Sequence, residues 1–127
     1  SAQEVFQVVH AEVLTLVEAG QAMNFEAIEK STLFGPAVKW KIAAMYNSDH
    51  IFQVFNLRVA NDMLEALDAQ ADTFQRALSL PEAQRRLMAH KPADASALHF
   101  LHSVYRMLEA QQNARFEGAH LDTARSL

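Results

Sequence analysis

Residues 57–78 read LRVANDMLEALDAQADTFQRAL and carry the most regular hydrophobic pattern of the chain. Apolar residues recur there at alternating steps of three and four: Leu57, Ala60, Leu64, Leu67, Ala71, Phe74 and Leu78. This spacing predicts one α-helix over 57–78 with a single apolar face. The small alanines favour a core helix that packs closely on a neighbour, and a coiled-coil seam is the alternative. The positions predicted to form an interaction seam between chains are Leu57, Leu64, Leu67, Phe74 and Leu78.

Capping residues and breakers divide the N-terminal half into further helices. Ser1 and Glu4 form an S-x-x-E capping box, and the helix that it opens is expected to stop at Gly20. Asn24 is expected to cap a short second helix. Pro36 suits the first position of a third helix, which would run to about residue 46. Residues 51–55, IFQVF, predict either a short extended segment or a buried helical turn, because short apolar runs are compatible with both.

Similar signals divide the C-terminal half. Ser79, three residues before a glutamate, predicts the start of a helix that ends near His90. The last helix is expected to begin after Asp94 or Ser96 and to stop at Gly118, with a frayed tail over 119–127. Its apolar positions cover a wide face, which predicts contacts on more than one side.

The composition agrees with an all-α fold. The chain has 127 residues, half of them hydrophobic and a fifth charged, but only three Gly and three Pro. Such sparse turn residues disfavour a β-sandwich or barrel. We therefore predict a single-domain bundle of five to six helices over residues 1–127, either a whole protein or a domain excised from a longer one. The absence of Cys excludes a disulfide scaffold and fits a cytoplasmic protein. No apolar run is long enough to span a membrane.

Catalytic and metal-binding patterns are missing from the sequence. His99 and His102 lie three residues apart on the last predicted helix, but no third ligand stands at a diagnostic spacing. The acidic residues are spread over separate helices, without an arrangement that marks a general acid and base. Glycine-rich phosphate loops and G-x-S-x-G elbows do not occur. The sequence therefore predicts a protein that is not an enzyme and has no cofactor and no metal.

Two features favour contact with nucleic acid, although the formal net charge of −4 disfavours binding by bulk electrostatics. The region 25–46 has the outline of a helix-turn-helix, whose second helix would place its first side chains in the major groove. A second group of basic residues lies around the predicted end of the fifth helix. The residues predicted to contact phosphate are Lys39, Lys41, Arg85, Arg86 and Lys91.

The run VKWKIAAMY, residues 38–46, holds the only tryptophan of the chain between two lysines. Its Lys-Trp-Lys-Ile-Ala core, with a tyrosine three residues on, resembles a run in the N-terminal helical domains of McrB-like AAA+ restriction GTPases. The order that follows, a short apolar segment and then another helix, is also similar. The resemblance implies a non-catalytic DNA-recognition module of a restriction and phage-defence system, whose AAA+ motor lies outside this chain.

The same run also has an interpretation without a function. As an amphipathic helix it would bury Val38, Ile42, Met45 and Tyr46, with Trp40 packed at the margin. The second hypothesis for the whole chain is a helical protein-interaction or oligomerisation module without a nucleic-acid role. It is based on the 57–78 seam and the wide face of the last helix, and it includes a homo-oligomer.

Overall fold

The computed structural model describes the backbone of residues 1–68 and 73–126 and the side chains of residues 1–68 and 73–118. These ranges form helices and irregular connections and contain no strand, which confirms the all-α fold class. The six helices of the described ranges are α1 (Ala2–Gln21), α2 (Phe25–Lys30), α3 (Pro36–Met45), α4 (Leu57–Leu67), α5 (Leu80–His90) and α6 (Ala97–Ser126). None of these helices combines the length and the apolar run needed to cross a membrane.

The helices pack as two adjoining groups within one bundle. In the first group α1 lies against α3, and α2 contacts both. In the second group α4 lies against α5 and α6. Contacts between α2 and α5 join the two groups, and Leu57 packs against the buried clusters of both. The bundle therefore has two hydrophobic centres, one around Trp40 and Phe25 and one around Leu64 and Met63.

The long helix predicted over 57–78 is about half as long in the structure. Helix α4 ends at Leu67, and residues 73–79 have irregular backbone; Ala71 lies outside the described residues. Asn61, fully buried on α4, donates from Nδ2 to Ala77 O at 3.0 Å and accepts from Ala77 N at 2.7 Å. An amide side chain that satisfies the donor and acceptor of one residue lets this irregular segment pack in the core. The helical spacing of apolar residues therefore continues beyond the helix, and the helix prediction is wrong at residue 68 and over residues 73–78.

Residues 51–55 form neither a β-strand nor a helical turn. Their backbone is irregular, with Ile51 and Phe52 fully buried. The side chain of Gln84 on α5 accepts from Phe52 N at 2.9 Å and donates to Phe52 O at 2.9 Å and Val54 O at 3.2 Å. One buried amide from another helix thus replaces the hydrogen bonds that a strand partner would make.

Most of the predicted capping residues are confirmed. Ser1 makes a reciprocal capping box, and Asn24 and Ser79 accept from the backbone of α2 and α5. Pro36 opens α3. Ser96, rather than the aspartate two residues earlier, accepts from the first turn of α6 at 3.1 Å.

The two predicted glycine stops are wrong. Helix α1 continues through Gly20, and its C-terminal turn instead uses Met23 with a left-handed φ of 56°. Helix α6 continues through Gly118. Gly20 has a packing role, because a Cβ there would lie 2.7 Å from the carbonyl oxygen of Ala43 on α3. Fraying of residues 119–127 stays a prediction, and Leu127 lies outside the described residues.

Candidate functional site

Lys39, a predicted phosphate contact, is buried in the fold. Its side chain is only 7% exposed, and Nζ donates to Glu29 O at 2.6 Å and Ser31 O at 3.2 Å. These carbonyls belong to the C-terminal end of α2, where backbone acceptors lack partners within the helix. Lys39 therefore caps α2, and its prediction as a DNA contact is corrected.

Arg85 is exposed, but it forms an ion pair with a carboxylate of the same chain. Its guanidinium donates to both carboxylate oxygens of Glu26 and lies 5.4 Å from the centre of the Phe25 ring. The hydrogen bond from Arg85 lowers the pKa of Glu26 to about 2, and the same bond raises the pKa of Arg85. This pair connects α5 to the first turn of α2, so that much of the arginine charge is balanced within the chain.

Arg86 lies in a small charged cluster at the end of α4. Its guanidinium is 3.7 Å from Asp68 and 3.8 Å from Glu82, and it stacks over the Phe74 ring at 5.4 Å. His90 Nε2 lies 3.0 Å from the other oxygen of Asp68. The cluster connects α5 to Asp68, the residue that caps the C-terminal end of α4, so Arg86 has a structural role.

The five predicted basic residues do not form one surface. Lys91 Nζ donates to Pro92 O at 3.1 Å and Ala95 O at 2.7 Å, and so fixes the turn between α5 and α6. Lys41 is exposed, and among the described side chains it makes neither a hydrogen bond nor an ion pair. Lys39 and Arg85 hold opposite ends of α2. Of the set, Lys41 is the residue that is exposed and has no hydrogen-bond or ion-pair partner in the described part of the chain.

The run at 38–46 buries a different face from the predicted one. Trp40 is fully buried, and its Nε1 donates to Glu29 Oε2 at 2.9 Å. Val38, Met45 and Tyr46, predicted to be buried, are 47%, 64% and 70% exposed. The indole and the small Ala43 and Ala44 face the interior instead, where the small side chains let α1 and α3 approach closely.

This inversion also changes the helix-turn-helix hypothesis. The two helices and the intervening turn are present as α2, residues 31–35 and α3. The first turns of α3, however, direct Lys39 and Trp40 inward, onto α2. The exposed side of α3 carries Val38, Lys41 and Met45, a largely apolar stripe with a single charge.

The predicted 57–78 seam packs inside the bundle. Leu64 is fully buried, and Leu57, Leu67 and Phe74 are partly buried against the cluster between α4, α5 and α6. Leu78 is 87% exposed and lies, like Phe74, in the irregular segment 73–79 rather than on α4. The seam therefore presents no continuous face to another chain.

A different apolar face is exposed at the start of α1. All residues from 1 to 11 are exposed, and we name residues 2–11 the α1 overhang. Val5, Phe6, Val8 and Val9 are 63%, 67%, 57% and 36% exposed. The sequence contained the signal for this face, since Phe6 and Val9 belong to one helical stripe with Leu16, which is buried. The spacing of the stripe does not show at which residue the contact of α1 with α2 and α3 ends.

The α1 overhang continues the buried stripe without a break. Positions 2, 6, 9, 13, 16 and 20 alternate steps of four and three, so they lie along one side of the helix. The part of α1 near Gly20 packs against α3, and Glu12 accepts from the Ser31 hydroxyl at 2.6 Å. The overhang extends about 15 Å beyond that contact at the helical rise per residue.

Other features of the described residues offer less chemistry. No group of three or more His, Asp or Glu side chains in residues 1–68 and 73–118 is arranged to hold a metal ion. His99 and His102 are both exposed. A shallow, mainly apolar groove separates the 48–53 segment from the start of α6, lined by Ser48, Ile51, Phe52, Gln53, Ala97, Leu98 and Leu101.

Comparisons with known proteins return no relative: no family model, no curated protein and no solved structure matches the chain.

Proposed function

We propose that the chain is a non-catalytic helical interaction module that docks on another protein chain through the α1 overhang. The observation that carries this proposal is that Phe6 and Val9 are exposed, although they lie on the same helical stripe as Leu16, which is buried further along α1. An amphipathic helix normally covers its apolar side, and an uncovered contiguous apolar face marks an interaction surface more often than a lone exposed side chain does.

The energetic argument favours a protein partner. Burying an exposed Val or Phe side chain contributes about 1.5–3 kcal/mol, so Val5, Phe6 and Val9, which share one side of α1, offer several kcal/mol to a partner. The polar residues Gln3, Glu4 and Gln7 of the same segment lie on the other side of the helix. The ring of His10 stacks on the Phe6 ring, with 5.8 Å between the ring centres, and so borders the apolar face. That arrangement suits a helix laid against an apolar surface with its polar side in water.

Photo-crosslinking in cells tests the proposed function. A benzoyl-phenylalanine placed at Phe6 should form adducts with an identifiable protein, because its ring would lie in the interface. The matched control carries the same group at Leu14, which is 48% exposed on α1 but lies outside the α1 overhang, about 12 Å along the helix and about 80° around it from Phe6. Equal adduct yields from positions 6 and 14 would refute docking through the α1 overhang.

A second candidate function is a DNA-engaging accessory module of a McrB-like restriction system, working with an AAA+ motor. It is supported by the resemblance at Lys39–Ala43, by the exposure of Lys41 and by Tyr46, which is 70% exposed. A lysine can contact phosphate, and an exposed aromatic ring can stack on a base.

A salt series of duplex titrations tests this second candidate, with plain and modified DNA. Binding that weakens steeply with salt, and that Lys41→Glu removes while Lys30→Glu does not, would support it. Lys30 is an exposed control lysine at the end of α2. A chain that binds no duplex at low salt would rule the candidate out.

A further inference from the structure

We draw no further inference here: the strongest candidate, the shallow apolar groove between residues 48–53 and the start of α6, carries none because nothing in the described part of the chain shows what would occupy it.

Discussion

Gly20→Ala gives the sharpest test of how α1 and α3 pack. Helix propensity alone predicts a gain, because Ala is more favourable than Gly within a helix by about 1 kcal/mol. The tertiary structure predicts a loss. The new Cβ would lie 2.7 Å from Ala43 O, 2.7 Å from Asn47 Nδ2 and 3.1 Å from Ile51 Cδ1. Because one of these atoms belongs to the backbone of α3, a side-chain rotation cannot relieve the contact.

The size of the loss follows from the groups that must move. Overpacking of a core costs about 1–3 kcal/mol. Displacing Asn47, whose Nδ2 donates to Val17 O at 3.1 Å and Ala43 O at 2.8 Å, adds about 1 kcal/mol. After the propensity gain is subtracted, we expect a net destabilisation of about 1–3 kcal/mol and a Tm lowered by about 4–10 °C.

Urea and thermal unfolding measure this change in stability. Unfolding is detected by circular dichroism and by the fluorescence of Trp40, which is fully buried in the folded chain. Gly118→Ala is the matched control, because a Cβ at that helical position meets nothing within 4 Å. It should be neutral or stabilising by up to about 1 kcal/mol. If Gly20→Ala proves as stable as Gly118→Ala, the close packing of α1 on α3 described above is wrong.

Three further predictions concern polar groups. Lys39→Met should destabilise the fold by about 1–3 kcal/mol, because it leaves two carbonyls at the end of α2 without their donor. Urea unfolding measures this loss. The control variant Lys41→Met should change the free energy of unfolding by less than about 0.5 kcal/mol. Gln84→Leu should lower the free energy of unfolding by about 2–4 kcal/mol, because three buried hydrogen bonds are lost. The backbone amides of residues 51–55 should then exchange faster with solvent. Unchanged hydrogen exchange at these residues would contradict the prediction. The pKa of Glu26 is lowered to about 2, so its stabilisation is present above its usual pKa near 4.5 and is lost as the pH falls towards 2. Wild type should therefore lose more Tm than Glu26→Gln between pH 5 and pH 2, and equal losses would show that the pair with Arg85 does not form.

Buried polar side chains connect the elements that lack regular structure. Lys39 ends α2, Asn61 holds residue 77, and Gln84 holds residues 52 and 54. All three are less than 10% exposed, and in sequence they look like ordinary polar positions on helices. Buried polar groups need hydrogen-bond partners, and here those partners are backbone groups in distant loops. Substitutions at these positions should therefore affect the fold more than substitutions at the exposed apolar residues of α1.

The basic residues also have roles that their positions in the sequence do not distinguish. A cation in a sequence is compatible with phosphate contact, helix capping or an ion pair, because each requires only a positive group on a flexible side chain. The structure assigns capping to Lys39 and Lys91 and ion pairs to Arg85 and Arg86. Lys41 alone among these five is exposed and makes neither a hydrogen bond nor an ion pair with the described part of the chain.

The sequence by itself determined the helical class, a count of five to six helices and most of their first residues. Hydrophobic spacing and capping are local, so Ser1, Asn24, Pro36 and Ser79 act through neighbours within a few residues. Which apolar face becomes the core was decided only by the tertiary structure. Burial depends on what packs against a helix, so Trp40 turned inward and the α1 overhang remained uncovered, although the local patterns of both look alike.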